Sequence, residues 1–243
     1  MKLKRFVCLS LVLVLLISVL AGCNAAEPAV LVASAELALE EAPYTVNAMV
    51  EYTSPDESMS AIIKSFSNPT IKVAVDGEKF RAQMDIKNGD TSNYIVYTYV
   101  DGFLYTQWQE NGVTSTDKEE YTKEDKEAIA TALGSGASVD ILDFENVSSK
   151  RDGKVDIISC DRIKAESLGS LISSLEEQLT SINATVEIKD AALTMEIQDG
   201  KYQSTVLTCE YYITTELDSY VINMTYTTEF DYESGVAISA PLF

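Results

Sequence analysis

The sequence predicts an α+β chain built around one antiparallel sheet. Three observations lead to that class. Asp76-Gly77, Asn88-Gly89, Asp101-Gly102 and Asn111-Gly112 separate runs rich in Val, Ile, Tyr and Thr, and each pair is a hairpin signal because glycine tolerates positive φ. Tyr44, Val46, Ala48, Val50 and Tyr52 alternate with Thr45, Asn47, Met49, Glu51 and Thr53, the period-two pattern of a sheet with one face buried. Leu168, Leu171, Ile172, Leu175, Leu179 and Ile182 then form a single apolar stripe at helical spacing, flanked by Ser173, Ser174, Glu176 and Glu177. Such a helix must cover something apolar.

In chain order, Val30 to Ala42 reads as a helix with Leu37 and Leu39 on its apolar side, stopped before Pro43. The alternating strand from Tyr44 follows at once. Asp56 to Phe66 reads as a short helix. The glycines of the next turns fall 12, 13 and 10 residues apart, which suits a meander of roughly eight-residue strands with Phe80, Ala82, Met84 and Ile86 on one face. Thr122 followed by Asp125 resembles a capping box, and the helix it opens, through Ile129 and Leu133, should stop at Gly134. A second hairpin set begins near Val139 and turns at Asp152-Gly153. After the striped helix, strands are expected at about Thr185 to Gln198, Tyr202 to Thr215 and Tyr220 to Tyr232, with a last one near Val236 to Ala240. One continuous sheet accounts for these strands.

The first residues carry an address. Lys2, Lys4 and Arg5 precede the apolar run Phe6 to Ala21, the layout of a secretory leader, and the run is short for a membrane span. It ends in Leu20-Ala21-Gly22-Cys23, which resembles the lipobox of bacterial lipoproteins. Residues 1–22 are therefore expected to be a signal peptide, with Cys23 the lipid-attachment residue that carries diacylglycerol. Residues 23–29 would be a lipidated tether, and 30–243 a single domain on the outer, extracytoplasmic face of a bacterial cell membrane. Cleavage nearer Ala25 or Ala26, or an uncleaved signal anchor, would leave Cys23 unmodified.

The chain of 243 residues carries a net charge of −20. Removing residues 1–22 leaves 15 basic residues against 38 acidic and a net charge of −23. Nucleic acid is excluded as a partner, because binding phosphates needs basic stripes that displace counterions. Histidine is absent, which removes every mechanism needing an imidazole base or ligand. Ser115-Thr116-Asp117-Lys118 fits S-x-x-K, but its companion motifs are missing. Glu229, Asp231 and Glu233 share one strand face, where acid outside and aromatic inside is what any half-buried strand gives. Asp143 and Glu145 are weak as a glycosidase pair. No catalytic constellation, metal site or cofactor is expected, and the chain is read as a non-enzyme. Cys160 and Cys209 are the cysteines left to the mature domain, either bridged or as two buried thiols.

Aromatic residues crowd the central strands: Tyr94, Tyr97, Tyr99, Phe103, Tyr105 and Trp108 in one pair, and Tyr211, Tyr212, Tyr220 and Tyr226 in another. They serve either sheet packing or the mouth of an apolar pocket. A lipobox, a first helix, a long D-G and N-G meander, a late amphipathic helix, and Tyr/Thr-rich strands ending near Pro241 together resemble the LolA/LppX-like bacterial lipoproteins. The resemblance covers about residues 30–243 and is one of layout, without a short motif. It implies a curled antiparallel sheet, an incomplete barrel, with helices covering the concave face and an apolar cavity between them. The expected function is binding of a hydrophobic ligand, a lipid or acyl chain, without catalysis. Leu171, Leu175 and Leu179 from the helix, with Phe80, Met84, Tyr97 and Trp108 from the sheet, are the candidate cavity residues. The rival reading is an acidic protein-interaction or envelope-sensing lipoprotein with a solid core and an unknown protein partner.

Overall fold

The computed structural model describes residues 27–65, 70–88, 91–110, 112–121, 141–164, 185–215, 218–233 and 237–241. Helix α1 (Pro28–Glu41) leads into β1 (Tyr44–Thr53) and helix α2 (Glu57–Ser65). Strands β2 (Thr70–Asp76), β3 (Lys79–Asn88), β4 (Thr91–Val100), β5 (Phe103–Glu110) and β6 (Val113–Glu120) form the first meander. A 3-10 turn at Ile141–Asp143 precedes β7 (Phe144–Asp152), β8 (Val155–Ile163), β9 (Thr185–Gln198), β10 (Lys201–Thr214) and β11 (Ser219–Asp231).

All eleven strands belong to one antiparallel sheet in the order β6-β5-β4-β3-β2-β1-β11-β10-β9-β8-β7. The two meanders are thus joined in the middle by the first strand and the last, with Val46 opposite Phe230 and Val50 opposite Tyr226. This corrects the α+β expectation. The described chain is nearly all sheet, and among the described residues the expected helical cover is reduced to α1, which packs on part of one face. The sheet hydrogen-bonds itself from strand to strand, so little helix is needed to satisfy the backbone. The segments expected to be helical at 122–134 and 168–182 lie outside the described residues, and so do Leu171, Leu175, Leu179 and Cys23. No strand forms over 237–240, the described part of the Val236 to Ala240 segment where one was expected.

Two-residue turns set the register. Asp101 and Gly102 both have positive φ (53° and 82°), as do Asp199 and Gly200 (52° and 73°), the backbone sense whose twist matches that of the flanking strands. In β9 the apolar residues change parity, from Val186 and Ile188 to Ala191, Leu193, Met195 and Ile197. A bulge at Lys189 absorbs the change and keeps all six on one face.

That face carries two linked clusters. The larger one includes Ile158, Cys160, Leu193, Met195, Ile197 and Leu207, and α1 packs on it through Val32 and Ala35 with Leu31 and Leu39 beside them. Leu37 was expected on the packed side of α1 and instead stands 53% exposed. The helix is apolar on most sides, so hydrophobicity alone does not choose its inner stripe. The smaller cluster gathers Val46, Val73, Phe80, Ala82 and Leu104. Phe230 touches both clusters, stacked on Tyr202 with ring centres 5.4 Å apart and tilted against Tyr44 at 6.5 Å.

Candidate functional site

Directly paired residues of antiparallel neighbours lie on the same side of a sheet, so the register alone assigns the faces. One row runs Ala48, Ile71, Met84, Ile95, Trp108 from β1 to β5. A parallel row runs Val73, Ala82, Tyr97, Thr106, and a third Val75, Phe80, Tyr99, Leu104. Across the central seam the same face continues through Tyr52 opposite Met224 and Val50 opposite Tyr226, then Cys209 opposite Met224 and Leu207 opposite Tyr226.

Burial is uneven along these rows. Near the Asp76-Gly77 and Asp101-Gly102 turns the face is closed, with Phe80, Ala82 and Leu104 buried and the Phe80 ring stacked on Tyr99 at 5.8 Å. Toward the opposite strand ends it opens. Ile71, Met84, Ile95, Tyr97, Trp108, Val50, Met224 and Tyr226 are all half-buried, and Tyr52 is 39% exposed. The result is an apolar lane that crosses the sheet from Trp108 to Met224. Of the sheet residues singled out from the sequence, Met84, Tyr97 and Trp108 lie on this lane, while Phe80 is in the closed floor beside it.

Burial holds several phenols of this face in the neutral form. Burial raises the pKa of Tyr44, Tyr52 and Tyr226, which holds these phenols protonated. The hydroxyl of Tyr211, pushed up strongly by burial and by the neighbouring Cys209, donates to Met224 Sδ at 3.4 Å. On the other face, Lys118 Nζ sits 3.9 Å above the Phe103 ring and 5.4 Å from that of Tyr105, and Lys189 Nζ lies 3.8 Å above Tyr212. The crowded aromatics are thus divided: Tyr97, Tyr99 and Trp108 face the lane, and Tyr94, Phe103 and Tyr105 face away.

The weaker motifs come apart in three dimensions. Ser115 is opposite Trp108 and Lys118 opposite Tyr105, so the two residues of S-x-x-K point to opposite faces and cannot act together. Glu145 forms an ion pair with Arg162 at 3.7 Å. Among the described residues no group of three His, Cys, Asp or Glu side chains could hold a metal ion. Cys160 and Cys209 are both free and buried. Cys160 pairs with Leu193, Leu193 with Leu207, and Cys209 with Ala191, so all of β9 stands between the two thiols. Two strand steps of about 4.8 Å put their Cα atoms beyond the roughly 7 Å that a disulfide can span.

Sequence reasoning missed Ile71, Ile95, Tyr52, Met224 and Tyr226 as parts of one surface. Tyr52 and Tyr226 were visible as alternating or crowded aromatics, but nothing local shows that the first and last strands are neighbours.

No family model matches the chain, and no curated protein does. Among solved structures, the ywiB protein from Bacillus subtilis is similar at 10% identity, over 77% of this chain and 91% of that one, with a TM-score of 0.20. A GphF dehydratase variant is similar at 8% identity, over 82% of this chain and 80% of that one, with a TM-score of 0.13. At those TM-scores neither likeness bears on fold or activity.

Proposed function

We propose that the chain is a membrane-anchored extracytoplasmic lipoprotein that binds a hydrophobic ligand, a lipid or acyl chain, on the sheet face of Ile71, Met84, Ile95 and Trp108, without chemistry. The observation that carries this reading is the half-buried state of that row over four consecutive strands. Large apolar side chains gain about 25 cal/mol for each Å² removed from water, so a continuous row left partly wet is a surface that a greasy molecule would stabilise by covering. The lipobox at Leu20 to Cys23 supports the anchor and kinship with the LolA/LppX-like lipoproteins. No described helix is long and apolar enough to cross a membrane, which leaves a lipid anchor untouched as an idea.

The test is extraction of the purified full-length chain with organic solvent, followed by mass analysis of the extract. Lipid recovered in stoichiometric amount from the native protein, and lost when Ile95 and Met84 are both replaced by Gln, is the expected result. Repeated recovery of none from a folded preparation would sink the reading. Membrane retention of a Cys23→Ala variant would likewise replace the acyl anchor with an uncleaved span.

A further inference from the structure

Eight strands, β1 to β5 and β9 to β11, contribute to the lane and its floor, and their inward positions are almost devoid of charge. Reading the register outward from Ala48 gives only apolar, aromatic, Thr or Asn residues, apart from Glu110 at the last position of β5. The cations of these strands occupy the other parity: Lys72 and Arg81 pair with Asn47 and Thr98, and Lys189 sits over Tyr212 on the far side. Four phenols of this face, Tyr44, Tyr52, Tyr211 and Tyr226, are held neutral by burial.

We propose that the lane selects its ligand by charge, accepting acyl chains in ester linkage and excluding free fatty acids. This rests on the hydrophobic-ligand reading above and specifies the class of molecule that the site takes. Among the described residues a carboxylate drawn onto the lane would shed water and meet no cation, since Lys201 Nζ, 4.9 Å from the Tyr232 ring, stands beside Tyr44 at the closed end of the face, and burying an unpaired ion is far costlier than burying an ester. Tyrosine hydroxyls can donate hydrogen bonds to either group, so they do not restore the difference. The net charge of −20 adds a repulsive field for any anion approaching the protein. Selectivity of this kind arises by rejecting the wrong partner more than by gripping the right one.

The chain contains a single tryptophan, Trp108, and it lies on the lane directly opposite Ile95. Contact with bromine quenches tryptophan emission, so dibrominated stearic acid and its methyl ester are matched probes differing by one charge. Titrated into the full-length chain at neutral pH, the ester should quench Trp108 and the acid should bind at least about tenfold more weakly. Ile95→Lys, which supplies the missing cation beside the reporter, should reverse the order. Ile95→Gln, polar but neutral, should weaken both probes yet keep the ester ahead of the acid, and thermal unfolding of both variants checks that they are folded. Equal quenching by acid and ester would overturn charge selection while leaving the hydrophobic-ligand reading intact. Quenching by neither would remove both.

Discussion

Ser34 Oγ on α1 lies 2.8 Å from the point that a Cβ on Gly200 would occupy. The β9–β10 turn therefore does two jobs at one residue. It takes a positive φ of 73°, and it lets the helix approach the sheet closely.

Gly200→Ala is expected to lower stability by about 2 kcal/mol, adding a steric clash to the cost of the left-handed backbone. Gly102→Ala has the same backbone sense but open space at the Cβ position, and should cost only about 1 kcal/mol. Urea unfolding of the two variants side by side checks the difference, and equal losses would mean that Ser34 gives way freely.

High pH should unfold the protein earlier than carboxylate chemistry alone would suggest. Burial pushes the Cys160 and Cys209 thiols up to about 11 and the Tyr232 phenol up to about 12. Each group prefers its neutral, protonated form in the folded state, so its contribution is complete below its ordinary pKa. It is lost as pH rises through the folded value. Thermal unfolding midpoints are expected to hold to about pH 9 and fall between about pH 9 and 11, and Cys160→Ala with Cys209→Ala should flatten the fall. For the same reason neither thiol should react with a disulfide reagent at neutral pH until the chain is unfolded.

Thr45 is 1% exposed, and its Oγ1 has no hydrogen-bond partner among the described residues. A buried hydroxyl left unpaired costs about 1–3 kcal/mol, and valine has nearly the same shape. Thr45→Val should be neutral or stabilising by about 1 kcal/mol in denaturant titration. A loss of comparable size would mean that the hydroxyl is satisfied in solution.

The edge strand β6 ends in Asp117, Lys118, Glu119 and Glu120, with Lys118 lying over the Phe103 ring. Charges on an edge discourage pairing with another chain. A variant with Asp117→Thr, Lys118→Val and Glu119→Thr is expected to self-associate with rising concentration in sedimentation, while single Lys118→Ala should cost no more than about 1 kcal/mol.

Local features of the fold were legible in the sequence, because the physics behind them is local. Asp101-Gly102 and Asp199-Gly200 mark their own turns, and the alternation of Tyr44 to Tyr52 assigns the inner face of β1 without any partner in view. The seam between β1 and β11 was not legible, since Val46 and Phe230 are brought together by the whole chain and no short-range pattern records it. The weight given to the stripe from Leu168 to Ile182 led to a helix-covered sheet, whereas the described chain is nearly all strand. On the lane, Met84 was named from strand periodicity and Trp108 from the crowding of aromatic residues. Ile95 and Met224 needed the register.

The meeting of the earliest and latest strands also constrains how the molecule is made. Each meander can zip up from neighbouring segments as it emerges, but the central ladder joining them must await the carboxy-terminal residues. Until then β1 presents an unpaired inner edge, so a chain interrupted before Ser219 would be sticky in the middle of its sheet.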